Sequence, residues 1–336
     1  MNIVVNDKER ADYDVKLHIL VLNGVFDTGL AVLQDTFATA NTLAAGRGVS
    51  VAPLEVRLVG VEEQVVTARG LTASLAPAPA DADADWVVVP ALNVQEPADL
   101  IAMLQRADVL SMLAHLRRWY HAGVHLASAC VGTFLLAEAG ILDGCDATTS
   151  WPLAPLFRQR YPNVRLDDTR MIVPSQRVVT AGVMMAHVDL ALWLVRQASP
   201  DIAAMTARFM MIDERTSQAR YVIPDFLAHA DPLIARFERW VRENLGAGFS
   251  LQNAANELGV TPRTLQRRTE AVLGKTPIDF VQDIRVERAR HLLSIGRRME
   301  QIASEVGYAD TATLRTLLRR RLGGRHDLQS KGSAKA

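Results

Sequence analysis

The sequence predicts an α/β domain with a parallel sheet, followed by an all-α domain. In the first 199 residues, short apolar runs alternate with segments of helical periodicity, which is typical of parallel strands covered by helices on both faces. After Ser199 the strand-like runs stop, and only helices and short turns are predicted. The chain has 336 residues, of which 49% are hydrophobic, so it is long enough for two or three domains.

The elements of the α/β part follow one another in a regular order. The run VKLHILVL at residues 15–22 is short and continuously apolar, as expected for a buried strand. Residues 27–46 have helical spacing and end at glycine, a common helix terminator. An acidic, proline-bearing loop is predicted at 77–85. The predicted strands are 15–22, 54–60, 86–90, 124–128 and 177–181, and the predicted helices are 27–46, 97–121, 130–139, 182–197 and 202–215.

Composition indicates where the domains begin and end. A polar stretch precedes the first strand, and a segment with two prolines separates the α/β part from the helical part. Gly, Ser, Lys and Ala dominate the last residues. We therefore predict a polar arm at 1–14, an α/β domain at 15–220, a linker at 221–232, a helical domain at 233–323 and a flexible tail at 324–336.

The charges and the cysteines restrict the class of protein. The formal net charge is zero, but residues 231–336 carry 19 Lys and Arg against 12 Asp and Glu, and residues 1–230 carry 18 against 25. Positive charge concentrated in one domain favours a polyanionic partner there. Two cysteines make no disulfide framework, the polar N-terminus is unlike a secretory signal, and no apolar run approaches the ~20 residues of a membrane span. These features predict a cytoplasmic protein that does not associate with membranes.

Residues 250–269 (SLQNAANELGVTPRTLQRRT) have the pattern of a helix-turn-helix unit. The small Ala255 lies four residues before Gly259, which can adopt the left-handed conformation of a tight turn. Thr261 and Pro262 then suit the N-cap and the first position of a second helix.

The same pattern recurs at residues 299–321, where Ala303 and Gly307 keep the spacing and Asp310 or Thr311 caps the second helix. A long amphipathic helix is predicted between the two units. Two such units in a positively charged domain predict binding to double-stranded DNA. Their second helices would reach successive major-groove faces, which lie ~34 Å apart.

The segments VTPRTLQRRTEAVLGKTPIDFVQDIRVERARHLL and IASEVGYADTATLRTLLRRRLG resemble the AraC/XylS DNA-binding domain, over about residues 235–323. The resemblance implies recognition helices at 261–269 and 311–321. Arginine and glutamine pair bidentately with guanine and adenine, although a phosphate contact is the alternative for each arginine. The implied DNA-binding residues are Arg263, Thr264, Gln266, Arg267, Thr311, Ala312, Thr313, Arg315 and Thr316.

Two positions depart from the pattern of that family. Leu314 stands where a phenylalanine is usual, and LGGRHDLQSKGSAKA follows in place of the closing Gly-x-x-Pro-x-x-Tyr-Arg. The second departure alters the residues that pack the terminal helix, whereas the recognition helices keep the pattern.

Residues 124–136 (VHLASACVGTFLL) predict a strand, a sharp turn at Cys130 and a helix. This is the geometry of a nucleophile elbow, in which the helix N-terminus lowers the pKa of a thiol. Considered alone, the segment predicts a cysteine-dependent hydrolase or amidotransferase.

The segments ACVGTFLLAEAGILDG and VVTAGVMMAHVDLALWLV resemble the DJ-1/PfpI branch of the class I glutamine amidotransferase-like fold, over about residues 15–200. The resemblance implies a flavodoxin-like parallel sheet sandwich. Together with the AraC-type part, the whole chain resembles the GlxA family of transcriptional regulators. That resemblance implies a sequence-specific DNA-binding regulator that forms a homodimer, binds a small-molecule effector in its α/β domain and contacts RNA polymerase. It implies no metal and no cofactor.

A cysteine nucleophile needs a base and usually an orienting acid. DJ-1-like proteins have a histidine after the TT pair downstream of the elbow, where this chain has Ser150. Val131 stands where enzymes of the group have a histidine, and Gly29 aligns with their glutamate. His187 lies in an apolar helix and is predicted to be a core or surface residue. We therefore predict that Cys130 is not catalytic and that the chain is not an enzyme.

Ligands of this fold bind beyond the carboxyl ends of the strands. Relatives sense amino acids such as arginine, or quaternary amines such as glycine betaine and carnitine, so we expect an effector of one of these classes. An aromatic face with a carboxylate suits a cation, and Trp151 with Asp27 is the candidate pair. The predicted pocket residues are Asp27, Cys130, Val131, Ser150, Trp151 and Val183.

Two alternative functions stay open at this point. A Cys130-dependent hydrolase or amidase with a DNA-binding appendage would lose turnover on Cys130→Ala. A redox sensor that uses Cys130 would show peroxide-dependent DNA affinity, although the sequence places no second thiol nearby.

Overall fold

The computed structural model describes residues 15–46, 53–81, 83–218 and 231–322. The chain divides into two compact units, Met1–Ala219 and Arg220–Ala336. The predicted arm at 1–14, the predicted linker up to residue 230 and the predicted tail at 324–336 lie outside the described residues.

The first unit contains a seven-stranded sheet and two short two-stranded sheets. Every neighbouring pair in the large sheet is parallel except its last pair, β10 with β11. The strands are β1 (Val15–Leu20), β2 (Leu54–Gly60), β3 (Gln64–Val66), β4 (Thr72–Ser74), β5 (Ala76–Pro77), β6 (Trp86–Val89), β7 (His125–Ala129), β8 (Asp146–Ala147), β9 (Arg165–Leu166), β10 (Ile172–Ser175) and β11 (Val178–Ala181).

The strand order confirms the predicted fold class. The large sheet runs β10-β11-β7-β6-β1-β2-β5. Its five predicted strands therefore follow the order 2-1-3-4-5 of flavodoxin-like, doubly wound folds. In such sheets ligands bind beyond the carboxyl ends of the strands, near the point between β1 and β6 where the order reverses.

Seven α-helices of the first unit are described, and α1, α6 and α7 pack against one another. The helices and strands enclose an apolar core in which Phe37, Trp119 and Phe134 are fully buried. The helices are α1 (Asp27–Gly46), α2 (Pro97–Leu104), α3 (Ala107–His121), α4 (Gly132–Glu138), α5 (Ala154–Arg160), α6 (Ala186–Ala198) and α7 (Pro200–Phe209), with a 3-10 helix at Trp151–Leu153 before α5.

Four of the five predicted helices have different limits in the structure. The helix predicted over 130–139 spans Gly132–Glu138. The helix predicted over 97–121 is split, because Arg106 adopts an extended conformation at the N-cap of α3. The helix predicted from 182 begins at Ala186, after a turn. The helix predicted over 202–215 ends at Phe209, followed by Met211 with a φ of +54°.

The described residues of the second unit, 231–322, form only helices and turns, as predicted. Side-chain oxygens of Asp231, Ser250, Thr261 and Thr276 accept hydrogen bonds from free backbone N–H groups at the start of four helices. Asp231 and its successor were predicted as linker, but they cap and begin the first of these helices. The helices are α8 (Pro232–Glu243), α9 (Leu251–Glu257), α10 (Pro262–Leu273), α11 (Pro277–Ser294), α12 (Met299–Glu305) and α13 (Thr311–Leu322).

None of the helices in the described parts of either unit combines the length and the apolar character that a bilayer span requires.

Candidate nucleic-acid interface and ligand site

Helices α9 and α10 form the first helix-turn-helix motif. Gly259 has a φ of +69°, and the N–H of Val260 donates to the carbonyl of Ala255 at 3.0 Å. Ala255 is fully buried, so a larger side chain there would separate the two helices. Thr261 caps α10 by accepting from the N–H of Thr264 at 3.1 Å. The structure therefore has the turn that the sequence pattern predicted.

Helices α12 and α13 form the second motif in the same way. Gly307 has a φ of +77°, and the N–H of Tyr308 donates to the carbonyl of Ala303 at 2.8 Å. Of the two predicted caps, Asp310 makes the bond, because its carboxylate accepts from both the N–H and the hydroxyl of Thr313 at 2.8 Å. These bonds hold the pKa of the Asp310 carboxyl below its usual value.

The second helix of each motif buries one face and exposes the other. Leu265 and Thr269 of α10, like Leu314 and Leu318 of α13, are fully buried. Leu314, which replaces the usual phenylalanine, thus fills the core. Thr264 and Thr311 are half-buried, and the other predicted DNA-binding residues are exposed, namely Arg263, Gln266, Arg267, Ala312, Thr313, Arg315 and Thr316.

Ion pairing separates the arginines of the second unit into two groups. Arg268 pairs with Asp231, and Arg288 pairs with Glu305 at 2.5 Å. Arg321 likewise pairs with two carboxylates of α11. These arginines hold the unit together.

The arginines predicted to contact DNA belong to the other group. Arg263, Arg267 and Arg315 make no hydrogen bond or ion pair with another residue in the described parts of the unit. Their guanidinium groups are therefore available to a polyanion without loss of an internal bond. Gln266 differs, because its amide donates to Glu270 Oε1 at 3.0 Å and must exchange that bond for one to a base.

Helix α11 joins the two motifs, since it packs against both α10 and α13. Its Arg285 is 8% exposed, donates to the carbonyl of Ala247 at 3.1 Å and lies 5.0 Å from the centre of the Tyr308 ring. A side chain at Gly307 would stand 2.8 Å from the Arg285 guanidinium and 2.5 Å from the carbonyl of Leu245. The second turn therefore needs glycine for space as well as for conformation.

In the first unit, Cys130 occupies the predicted elbow between β7 and α4. Its φ is +55°, which is uncommon for a residue with a side chain and is found at functional turns. The next turn of chain packs tightly on the sheet, because a Cβ at Gly132 would lie 2.4 Å from the carbonyl of Val89. The elbow geometry of the sequence prediction is thus present.

The thiol of Cys130 is nevertheless not activated. Burial raises its pKa, and hydrogen bonds from the Ser150 hydroxyl and from the N–H groups of Val131 and Met184 only partly oppose that effect. The side chain is 5% exposed. The expectation that the helix N-terminus lowers this pKa is therefore wrong, because loss of solvation outweighs the favourable dipoles.

His187 is a core residue and is bonded to the backbone at both ring nitrogens. Its Nε2 accepts from the N–H of Ala91 at 3.0 Å, and Nδ1 lies 2.5 Å from the carbonyl of Met184. Burial lowers its pKa to about 4. A Cβ at Gly29 would stand 2.8 Å from His187 Nε2. The imidazole thus occupies the space in which a glutamate at position 29 would begin.

The structure brings only some of the predicted pocket residues together. Ser150 and Val131 donate to the thiol of Cys130, and Val183 precedes Met184, which does the same. Asp27 instead holds the loop between β3 and β4, since it accepts from the hydroxyl of Thr67 and the N–H of Arg69.

Trp151 begins the 3-10 helix and is 6% exposed. The pocket assignments stay predictions.

Sequence reasoning missed Gln218, which is fully buried beside this site. Its Oε1 accepts from the N–H of Val183 at 2.8 Å, and its Nε2 donates to Thr148 Oγ1 and to the carbonyl of Thr149. A polar residue in a segment without periodicity carries no signal of burial, so the sequence could not reveal it.

In the described parts of the chain, no group of three or more His, Cys, Asp and Glu side chains is placed to hold a metal ion. The expectations of no metal and no cofactor stay predictions.

The two units define a class of protein in which an α/β sheet domain precedes a pair of helix-turn-helix motifs. Residues 254–325 match the family model described as "Helix-turn-helix domain". The chain is 28% identical over 192 residues to the HTH-type transcriptional regulator CdhR of Pseudomonas aeruginosa, covering 56% of this chain and 57% of CdhR. It is 24% identical over 212 residues to the HTH-type transcriptional regulator GlxA of Rhizobium meliloti, covering 61% of this chain and 65% of GlxA.

These matches span less than two thirds of either relative. Among solved structures, an AraC family transcriptional regulator from Pseudomonas putida is 18% identical, with a TM-score of 0.45. The alignment covers 58% of this chain and 99% of the Pseudomonas putida chain. DJ-1beta of Drosophila melanogaster is 16% identical and covers 60% of this chain and 100% of its own, with a TM-score of 0.46. Over more than half of its length the chain is thus similar to HTH-type transcriptional regulators, and residues 254–325 contain the helix-turn-helix domain that the motifs predicted.

Proposed function

We propose that this protein is a sequence-specific DNA-binding transcriptional regulator. The observation that carries the proposal is the separation of arginines in the second unit. Arg268, Arg288 and Arg321 are paired with carboxylates, whereas Arg263, Arg267 and Arg315 lie on the second helix of each motif without an internal partner among the described residues. Free guanidinium groups on such helices suit the phosphates and the guanine edges of a major groove.

Binding to DNA is best tested through Arg267→Ala, with Arg239→Ala as the matched control. Both residues are exposed arginines of the second unit, but Arg239 lies on α8, outside the two motifs. Duplexes selected from a random library by the wild-type protein serve as the probe. We expect Arg267→Ala to weaken binding by ~1–3 kcal/mol in fluorescence anisotropy at fixed salt, and Arg239→Ala to bind as the wild type does.

Three results would contradict the proposal. The first is a wild-type protein that selects no common sequence from the library. The second is an Arg267→Ala variant that binds as tightly as the wild type, and the third is an Arg239→Ala control that loses as much affinity as Arg267→Ala. A phosphate role for Arg267 predicts a uniform loss on all duplexes, whereas a base contact predicts loss of preference at one position.

We further propose that the α/β domain senses a small metabolite, an amino acid or a quaternary amine, without hydrolysing it. Burial raises the pKa of the Cys130 thiol, and backbone bonds engage both nitrogens of His187, so neither an activated nucleophile nor a free base stands at the elbow. The same facts speak against the hydrolase and the redox alternatives. Isothermal titration with arginine, glycine betaine and carnitine tests the proposed ligand class. Absence of binding heat with all three compounds would refute that class of ligand.

The regulator that we propose acts in the cytoplasm as a homodimer, with RNA polymerase as a further partner. Two copies of a tandem helix-turn-helix unit would bind related half-sites in symmetric arrangement. Sedimentation of the protein with and without a selected duplex measures the number of copies bound. A single copy on the duplex would contradict the dimer.

A further inference from the structure

The segment Thr216–Gln218 crosses the first unit beside the Cys130 elbow. The N–H of Met171 donates to the carbonyl of Thr216 at 3.2 Å, and the N–H of Gln218 donates to the carbonyl of Thr169 at 2.9 Å. An ion pair of 2.5 Å between Arg215 and Asp189 of α6 precedes these bonds. The Ser217 hydroxyl also donates to the carbonyl of Thr169 at 2.7 Å, and Ser217 forms an isolated antiparallel bridge with Arg170. These bonds, together with those of the Gln218 side chain, hold a segment that belongs to no helix and to none of the strands.

The side chain of Gln218 is inserted between the two chain segments that contact the thiol. On one side it bonds to Val183, whose successor Met184 donates to Cys130. On the other side it bonds to Thr149, whose successor Ser150 donates to Cys130.

Thr149 also donates its own hydroxyl to the carbonyl of Cys130 at 2.8 Å. The carboxamide therefore bonds directly to Val183 of the predicted ligand site on one side, and on the other side it bonds to the residue that precedes Ser150.

We propose that Thr216–Gln218 is a detachable strap that closes this site, and that an effector must displace Gln218 to enter. The proposal deepens the proposed function, because it names how access to the same site is regulated. The strap is also the last described part of the chain before the helix-turn-helix unit, with twelve residues, 219–230, between them. Displacement of the strap by a ligand is therefore expected to change the affinity of the protein for DNA.

Gly182 offers a way to displace the strap without changing it. A Cβ at Gly182 would lie 2.3 Å from Gln218 Oε1 and 2.8 Å from Nε2, and its three nearest atoms all belong to this one side chain. The flexible glutamine is the group that must move. Gly182→Ala is therefore expected to expel Gln218, while Gln218→Ala removes the carboxamide directly. Gln197→Ala is the control, because it removes an exposed carboxamide on α6.

The first measurement is the alkylation rate of Cys130 with iodoacetamide, followed by mass spectrometry on the full chain. We expect Gly182→Ala and Gln218→Ala to raise the rate at least about tenfold, and the control to leave it unchanged. The buried Cys145 serves as an internal reference for global unfolding, since its rate should stay constant. Hydrogen exchange at the N–H groups of Met171 and Val183, which donate to the strap, should become faster in both variants. Unchanged alkylation or unchanged exchange in both variants overturns the proposal.

The second measurement is the affinity for the selected duplex. Coupling between two sites commonly changes affinity by about 5- to 150-fold, so we expect at least a fivefold change in the dissociation constant of both strap variants. Equal affinities in the presence of faster alkylation would overturn the link to DNA binding. A wild-type protein that binds no duplex would instead refute the proposed function, and the alkylation result would still decide whether the strap closes the site.

Discussion

Substitution of the two turn glycines by alanine separates conformational strain from loss of space. Gly259 and Gly307 have nearly the same φ, +69° and +77°, so alanine in the left-handed conformation costs ~1–2 kcal/mol at either position. At Gly259 no atom lies within 4 Å of the added Cβ, and this strain is the whole cost.

At Gly307 a second cost is added. The Cβ would stand 2.5 Å from the carbonyl of Leu245 and 3.2 Å from that of Ala247, and backbone atoms cannot move as a side chain does. Overpacking of this kind costs ~1–3 kcal/mol. We therefore expect Gly259→Ala to destabilise the second unit by ~1–2 kcal/mol and Gly307→Ala by ~2–5 kcal/mol.

Hydrogen exchange of the slowest backbone amides in α11 measures the difference, because it reports the free energy of opening for this unit within the full chain. The urea midpoint of the helical signal gives a second value if Gly307→Ala is too unstable for exchange. Equal destabilisation by the two substitutions, or a larger effect at Gly259, would refute the reasoning.

The remaining predictions concern pH, thiol reactivity and charge. The folded pKa of His187, about 4, lies below the unfolded value of 6.5, so stability present above pH 6.5 is lost as pH falls towards 4. The free energy of unfolding, measured by urea titration, should fall by ~3 kcal/mol, since each pKa unit corresponds to 1.36 kcal/mol. An imidazole of His187 that titrates near pH 6.5 by NMR would contradict this prediction. Wild-type Cys130 should react with iodoacetamide at least about ten times more slowly than glutathione at pH 7.5, and equal rates would show an accessible thiolate. Arg268→Ala should lower the melting temperature because it leaves the buried Asp231 carboxylate without its cation, whereas Arg267→Ala should not. The opposite pattern would reverse their assigned roles.

Periodicity explains why much of the fold could be predicted. The bounds of β2 and α1 agree with the sequence prediction residue for residue, since apolar residues that alternate with polar ones and a helical repeat ending at glycine are both local signals. The two turns of the second unit are also predicted by local sequence patterns. Thr261 and Gly259 act through the backbone next to them, so their roles follow from spacing alone, whereas the need for space at Gly307 depends on Leu245 and Arg285, which are distant in the sequence.

The site could be predicted only in part. The turn at Cys130 follows from sequence, but the direction of its pKa shift depends on burial by residues far away along the chain. Gln218 is 35 residues from Val183 and 69 from Thr149, and no pattern links such distant positions. The antiparallel β10 was also missed, because a strand of four residues with a proline has little signal.

The position of His187 has a consequence for how this domain can change over evolutionary time. Its ring stands where a side chain at residue 29 would begin, and it is bonded to the main chain on both edges. An acidic side chain at residue 29 would collide with the imidazole, and a mutation of His187 alone would leave two main-chain groups without partners. An acidic residue at position 29 therefore requires a compensating change at His187, so that these two positions can change only together.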